Sequence, residues 1–315
     1  MSNQESGGLQ VSVVMAVFNG ERTLEATLAS VLGQMGCAFE FIVVDDGSTD
    51  GTSTILERAA SADARLRVIR QENTGLTKAL IAGCSAARAP FIARQDCGDI
   101  SLPGRLQSQH KRLAESGAAM VAGGVAIVAP DGELVEQRTV SNERLRSGLK
   151  AQSIDALVGP PHHGATMFRR DAYHAAGGYR AAFPVAQDID LWLRMIEVGD
   201  CLGMDEIVYQ AALEEGSISD LRRDKQVHCA TLAVECANAR RASGNDASVL
   251  AKATAPQSPA KRSSRPSVRV ARSRFNYFVG SCLKQRDPRA ARKYFLRALR
   301  ADPLHLRALV RVVGL

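Results

Sequence analysis

The chain has 315 residues, and its hydrophobic content of 45% and charged content of 23% are ordinary globular values that allow one large domain or a domain with an appendage. No apolar run reaches the roughly 18 residues of a membrane span, and the polar N-terminus lacks the basic and apolar blocks of a signal peptide. We therefore expect a cytoplasmic protein. Its seven cysteines include no Cys-x-x-Cys pair, which favours reduced thiols.

Charge is distributed unevenly along the chain. Residues 251–315 contain 16 Lys and Arg against 2 Asp and Glu, whereas residues 1–250 contain 24 basic and 31 acidic residues. A tail with an excess of 14 positive charges suits an anionic membrane surface or nucleic acid, although a solvated charged face is the commoner explanation for such a run. We expect no nucleic acid partner and a peripheral position at the inner face of the membrane.

The first part of the chain alternates between strand and helix patterns. Apolar strands are predicted at 11–17, 40–45, 65–70 and 91–95, with helices at 21–35, 51–62 and 75–87 between them. This alternation indicates a parallel sheet covered on both faces. The segments 119–128 and 133–138, joined at Pro130-Asp131-Gly132, predict a hairpin, so the sheet should become mixed.

The last part of the chain divides by composition. Residues 241–268 are rich in Ser, Pro and Ala and are predicted to be a flexible linker. Residues 269–315 become helical again, with a helix at 289–300, and their spacing resembles a single tetratricopeptide-like unit. One such unit cannot bury its own apolar face, so we expect it to dock onto something.

Polar side chains follow three of the predicted strands. Asn19 follows the first, Asp45 and Asp46 the second, and Asp96 and Asp99 the strand at 91–95. Open α/β sheets bind ligands at this end of their strands, which suggests one site with a nucleotide as its ligand. Each turn alone is explained as well by a capped strand-to-helix junction, but acids gathered in a cleft need a cation or a donor-rich ligand.

Four motifs in chain order resemble those of family 2 glycosyltransferases of the GT-A fold. They lie at 11–21 with 28–34, at 43–52, at 93–106 and at 187–194, and the resemblance covers about residues 10–220. It implies an α/β GT-A type fold with a mixed, mainly parallel sheet, helices on both faces and a short α-helical C-terminal appendage. We expect the GT-A domain at 10–240, the linker at 241–268 and the basic helical appendage at 269–315.

The resemblance also implies a reaction. A sugar, as a hexosyl or N-acetylhexosaminyl group, would move with inversion from a nucleotide-diphosphate donor, expected to be UDP-linked, to a hydroxyl of a glycan or lipid-linked acceptor. Such a transfer needs a carboxylate base and a cation at the departing diphosphate. The implied roles are base and ribose contact for Ala16 and Phe18, uracil contact for Asp46, metal and diphosphate contact for Asp99 and Asp96, catalysis for Asp188, and acceptor contact for His163 and Trp192. Lys78 and Arg94 are candidates for the phosphates.

The sequence departs from the family pattern at two of these motifs. Gly98 stands where the third motif usually has its metal-facing acid, so the expected Mn²⁺ or Mg²⁺ would depend on Asp99 and Asp96 together with substrate phosphates and waters. Gln187 replaces the Glu that usually precedes the base, which removes a like charge beside Asp188.

Other interpretations remain open at this stage. A degenerate, non-catalytic member would bind nucleotide or glycan only, and Gly98 favours that alternative. A Rossmann dinucleotide enzyme is disfavoured because no Gly-x-Gly-x-x-Gly follows the first strand. A helical-repeat scaffold is weaker still, since one repeat-like unit is visible. His163 is as readily a satisfied core histidine as an acceptor contact.

Overall fold

The computed structural model describes residues 8–213, 223–254 and 267–313. Its strands are β1 (Val11–Val17), β2 (Phe39–Asp45), β3 (Leu66–Arg70), β4 (Phe91–Asp96), β5 (Ile100–Ser101), β6 (Met120–Val128), β7 (Leu134–Arg138), β8 (Thr166–Arg169) and β9 (Cys201–Ala212). Its helices are α1 (Leu24–Leu32), α2 (Thr52–Ala62), α3 (Leu76–Ser85), α4 (Arg105–Ser116), α5 (Asn142–Leu149), α6 (Arg170–Ala175), α7 (Gln187–Val198), α8 (Arg223–Ser243), α9 (Ala247–Thr254), α10 (Val268–Leu283), α11 (Pro288–Ala301) and α12 (Leu306–Val313). None of these helices is long and apolar enough to cross a membrane.

The strands form one mixed sheet in the order β3-β2-β1-β4-β8-β6-β9-β5, with β7 paired to β6. The pairs β1–β2, β2–β3 and β1–β4 are parallel, whereas β8 is antiparallel to both β4 and β6. The predicted α/β fold, its four leading strands and the change to a mixed sheet are therefore confirmed.

Both faces of the central strands are buried. All seven residues of β1 and all seven of β2 are buried, as expected when helices cover a parallel sheet on both sides. Alternate residues of β1 belong to two separate clusters, with Val14 in one and Val13 and Met15 in the other. Because successive side chains of a strand point to opposite faces, these clusters are the cores of the two layers.

The contacts divide the chain into two units, of which the first comprises Met1–Val125, Arg138–Gln210 and Asp224–Thr254. The expectation of a flexible linker is wrong for part of 241–268, because α9 is helical and belongs to this first unit. Its side chains Val249, Leu250 and Ala253 pack against a buried cluster that contains Phe183 and Leu193. Residues 255–266 of the expected linker lie outside the described residues.

An ion-pair network holds the same region to the first unit. Asp190 accepts hydrogen bonds from Arg180 and Arg194, and Arg180 also pairs with Asp246 at 2.7 Å. Asp246, just before α9, pairs in addition with Arg240 of α8. Asp190 is 1% exposed, so this motif residue is a structural ion-pair partner rather than a plain surface position of a helix.

The second unit comprises Ala126–Gln137, Ala211–Arg223 and Ala255–Leu315. In it α10 and α11 pack together, and Gly280 allows their close approach because a Cβ there would lie 2.9 Å from the Phe295 ring. Helix α11 contacts the tip of the β6–β7 hairpin. The Tyr294 hydroxyl donates a hydrogen bond to Glu133, and Arg297 forms an ion pair with Asp131 at 2.9 Å. The repeat-like unit thus docks onto acidic side chains of the hairpin.

We predict that a chain ending at residue 240 is less stable than one ending at residue 254. The shorter chain lacks Asp246 and its partly buried ion pairs with Arg180 and Arg240. Removal of one partner from a fully buried pair typically costs about 3–5 kcal/mol, which is the upper limit for this contribution. Urea unfolding followed by circular dichroism measures the difference, and Asp246→Asn in the full chain is the matched test. Equal stabilities in both comparisons would show that residues 241–254 contribute nothing to the first unit.

Candidate functional site

Two turns at the carboxyl edge of the sheet are tied to each other. The Asn19 side chain, on a backbone with φ of 53°, accepts a hydrogen bond from the Thr49 amide at 2.8 Å. The Gly51 amide donates to Glu21 at 3.0 Å. The turns after β1 and β2 therefore form one rigid edge, and register pairs Ala16 of β1 with Asp96 of β4 beside it.

The Asp46 carboxylate organises the adjacent loop. It is 3% exposed and accepts hydrogen bonds from the Thr74 and Gly75 amides at 3.0 and 2.8 Å and from the Gln71 side chain at 2.7 Å. Sequence reasoning predicted a ligand contact for Asp46 and missed this role in holding the loop 71–75. Of the other predicted nucleotide residues, Ala16 is buried at the end of β1, Phe18 is half exposed and Lys78 is exposed on α3.

Asp96 is paired with a buried cation. The Arg94 guanidinium, which is 1% exposed, forms an ion pair with the Asp96 carboxylate two residues along β4. Burial raises the pKa of Asp96, but the charge of Arg94, together with His163, His162 and the hydrogen bond from Arg94, lowers that pKa below its usual range. Among the described residues, Nε of Arg94 is buried without a hydrogen-bond partner. Arg94 is thus an internal counter-ion for Asp96.

A histidine that sequence reasoning passed over lies beside the two acids. Asp96, Asp99 and His162 each offer a ligand atom, and these atoms lie within 4.8 Å of one another. Gly98 between the acids has φ of 98°, a left-handed conformation in which an aspartate would be strained. The backbone at position 98 therefore favours glycine and disfavours the aspartate that the motif usually has there.

The adjacent histidines face different neighbours. His163 is buried; its Nε2 lies 2.6 Å from the Tyr179 hydroxyl and its ring meets Trp192 edge-on at 6.1 Å. Burial holds the pKa of His163 well below its usual range. Trp192 is 5% exposed, so both predicted acceptor residues are core side chains. The extended backbone of His162 turns its ring the other way, which the tandem Pro-Pro-His-His sequence could have suggested.

Asp188 lies at the start of α7, after Ala186, whose φ of 56° is unusual for a residue other than glycine. Burial, with a contribution from the charge of Asp96, raises the pKa of Asp188 to about 6. The charge of Arg94 acts in the opposite direction. Since both charges act on its carboxyl, Asp188 lies within electrostatic range of Asp96. A carboxyl with this pKa can exchange a proton near neutral pH.

The fold and these strand-end acids define a GT-A type protein, and the sequence comparison gives its family. Residues 12–177, just over half of the chain, match the family model described as glycosyl transferase family 2. The chain therefore belongs to glycosyl transferase family 2. It is 35% identical over 198 residues to the putative glycosyltransferase EpsE of Bacillus subtilis, which is 62% of this chain and 69% of that protein. It is 27% identical over 187 residues to the O-antigen biosynthesis glycosyltransferase WbnJ of Escherichia coli, covering 59% and 71% respectively.

Solved structures show the same fold. S. aureus TarS 1-349 superimposes with a TM-score of 0.53 at 18% identity, covering 97% of this chain and 88% of that one. The TarS 1-349 complex with UDP-GlcNAc gives a TM-score of 0.54 at 16% identity, covering 97% and 89%. At identities of 18% and 16%, these comparisons show a shared fold and nothing about function.

We predict that Asp188→Asn raises the melting temperature at pH 8 and that its advantage shrinks as the pH falls from 6 to 4. The folded pKa of about 6 lies above the ordinary 3.8, so the folded state disfavours the ionised form. That cost is complete above pH 6 and disappears where the carboxyl is protonated in both states. Thermal unfolding across this pH range measures it.

Asp171→Asn is the control for this prediction. Asp171 is exposed on α6, and its hydrogen bond from Arg169 lowers its pKa, so its pH dependence should have the opposite sign. An increase in melting temperature for Asp188→Asn that is the same at every pH would contradict the raised pKa of Asp188.

Proposed function

We propose that the chain transfers a hexosyl or N-acetylhexosaminyl group from a UDP-sugar to a hydroxyl of a glycan or lipid-linked acceptor, with inversion at the anomeric carbon. The observation that carries this proposal is the position of Asp96 and Asp99 at the carboxyl edge of the parallel strands in a family 2 chain, and the raised pKa of Asp188 supports the choice of base. TarS 1-349, which has this fold, has been solved in complex with UDP and with UDP-GlcNAc, which supports the choice of donor. Relatives named for O-antigen and teichuronic acid biosynthesis support a glycan acceptor.

In the proposed reaction Asp188 acts as the base. Its carboxylate takes the proton of the acceptor hydroxyl, whose oxygen then attacks the anomeric carbon. The bond from that carbon to the β-phosphate oxygen breaks, and UDP leaves with the electron pair. His163 and Trp192, whose rings pack against each other in the core, would support the acceptor side from behind.

The donor would lie along the carboxyl edge. We assign Ala16 and Phe18 to the base and ribose, Asp46 to the uracil and Lys78 to the phosphates. Oδ1 of Asp46 already accepts hydrogen bonds from Gln71 and Thr74, whereas Oδ2 accepts from the Gly75 amide and has a second lone pair for a ligand. Contact with uracil would therefore be made by an acid that the fold already holds in place.

A divalent cation fits the oxygen ligands of Asp96 and Asp99. Two carboxylates with substrate phosphates and waters are a typical set for Mg²⁺ and also suit Mn²⁺. When bound, such an ion would neutralise the charge of the departing diphosphate. Arg94 already neutralises Asp96, so we expect the cation to depend chiefly on Asp99.

We predict that Asp188→Asn lowers transfer by about 10²–10⁴-fold while UDP affinity changes little, because a base acts in the transition state rather than in donor binding. UDP release from a panel of UDP-sugars measures turnover, and calorimetry measures affinity. Asp171→Asn should behave as the parent chain. A parent chain that binds UDP but turns over no donor with any glycan acceptor would favour the non-catalytic alternative, for which Gly98 is the specific observation.

We further propose that the second unit holds the protein at an anionic membrane surface on the cytoplasmic side. An apolar stripe runs along α12: Leu306, Leu309 and Val310 are 72%, 47% and 69% exposed at the spacing i, i+3, i+4. Arg307 and Arg311 flank this stripe on the same short helix. Exposed apolar side chains beside basic ones on an amphipathic helix fit the interface of an anionic bilayer.

We predict that the double change Leu309→Ser with Val310→Ser weakens binding to phosphatidylglycerol vesicles by at least about tenfold, because full burial of such side chains is worth roughly 1.5–3 kcal/mol each. Binding by the parent chain should also fall as salt increases. Val227→Ser on α8, at a similarly exposed apolar position, is the matched control. Equal vesicle binding by all three chains would contradict a membrane role for the stripe.

A further inference from the structure

The hydrogen bond made by Nδ1 of His162 determines where its ring carries a proton. The Gly164 amide donates to this nitrogen at 3.1 Å, so Nδ1 is the acceptor and has no proton. A neutral imidazole has one donor and one acceptor nitrogen, and the proton is therefore on Nε2.

The ring is held in this orientation by its neighbours. It stacks on the Tyr209 ring with centroids 5.4 Å apart and planes 28° apart. Tyr209 in turn receives a hydrogen bond from the Asp96 amide at 3.0 Å and lies under the Arg105 guanidinium. Turning the His162 ring over would place a carbon against the Gly164 amide and lose the bond that caps this turn.

This tautomer is the wrong one for a metal ligand. A histidine that binds a metal through one ring nitrogen keeps its proton on the other, which donates to a carboxylate or carbonyl. Here the other nitrogen already accepts from a backbone amide, so ligation through Nε2 would require a ring without any proton. The spacing of the three ligand atoms would allow Asp96, Asp99 and His162 to hold one metal ion, but the hydrogen bond from Gly164 to His162 does not.

The Nε2–H group of His162 faces the acid on which the cation should depend. Its nitrogen lies 3.8 Å from Oδ2 of Asp99, about 0.9 Å beyond an ordinary hydrogen bond. We infer that His162 is a positioning residue and not a cation ligand: a movement of about 0.9 Å would let Nε2–H donate to the Asp99 carboxylate and orient it toward the cation and diphosphate. This inference rests on the proposed function. It means that every protein atom bound to the cation is an oxygen.

Pulsed electron paramagnetic resonance of the full chain with Mn²⁺ and UDP tests the ligand set directly. We expect no coupling from a directly bound histidine nitrogen, with ¹⁵N-histidine protein as the reference. A nitrogen coupling that disappears in His162→Gln would overturn the inference. A parent chain that binds neither Mn²⁺ nor UDP would overturn the proposed function as well, so the two failures are distinct.

Two substitutions at position 162 test the positioning role. His162→Gln can place an amide N–H near the position of Nε2, whereas His162→Asn can keep the acceptor for Gly164 but lacks that donor. We expect Mn²⁺ affinity, measured without nucleotide, to stay within a few-fold in His162→Gln and to fall about 10–100-fold in His162→Asn. Unchanged affinity in both variants, or equal loss in both at unchanged melting temperatures, would overturn the inference.

Discussion

The site depends on the buried guanidinium of Arg105. It donates to the carbonyl oxygens of Arg94 and Gly164 at 2.6 Å each, and also to the side chains of Gln95 and Ser101. These partners lie on β4, β5 and the turn that carries both histidines. Burial lowers the pKa of Arg105 to about 10, which still leaves it charged at neutral pH. One cation thus joins the acid-bearing strand to the turn that faces it.

The surrounding charges give the two nearby carboxylates different properties. Asp96 has its own guanidinium, Arg94, and its pKa is lowered, whereas Asp188 is desolvated and its pKa is raised. Environments that separate the pKa values of neighbouring acids are how a site assigns one of them to charge stabilisation and the other to proton transfer. The replacement of the usual Glu by Gln187 is consistent with this arrangement, because it adds no further charge beside Asp188.

The strands and the acids at their ends were predictable from the sequence, because both are determined by residues that are neighbours along the chain. The apolar runs at 11–17 and 40–45 had to be buried strands, and parallel pairing then brings Asp45 and Asp96 to one edge. The roles of Arg94 and His162 were not predictable in this way. They depend on which buried side chains meet across the fold, and residues far apart in the chain, such as Tyr209, decide that.

The linker prediction was wrong at 247–254 for a related reason. The segment Ala247–Thr254 contains good helix formers, but the neighbouring Ser and Pro residues dominated its composition. Its helix is stabilised by tertiary contacts, among them the ion pairs of Asp246, and composition alone does not reveal such contacts. The Asp190 network was missed likewise, because a carboxylate on a helix is ordinarily solvated.

Calorimetric titration of the full chain with UDP, uridine and ADP, each with and without Mn²⁺, tests the central claim most directly. The account predicts that UDP binds more tightly than uridine and that Mn²⁺ strengthens UDP binding. It also predicts that ADP binds more weakly than UDP, because the proposed base site uses Asp46 to recognise uracil. Equal affinity for UDP and ADP would contradict the assignment of the base site. Absence of UDP binding with and without Mn²⁺ would contradict the account of the whole carboxyl edge as a nucleotide-sugar site.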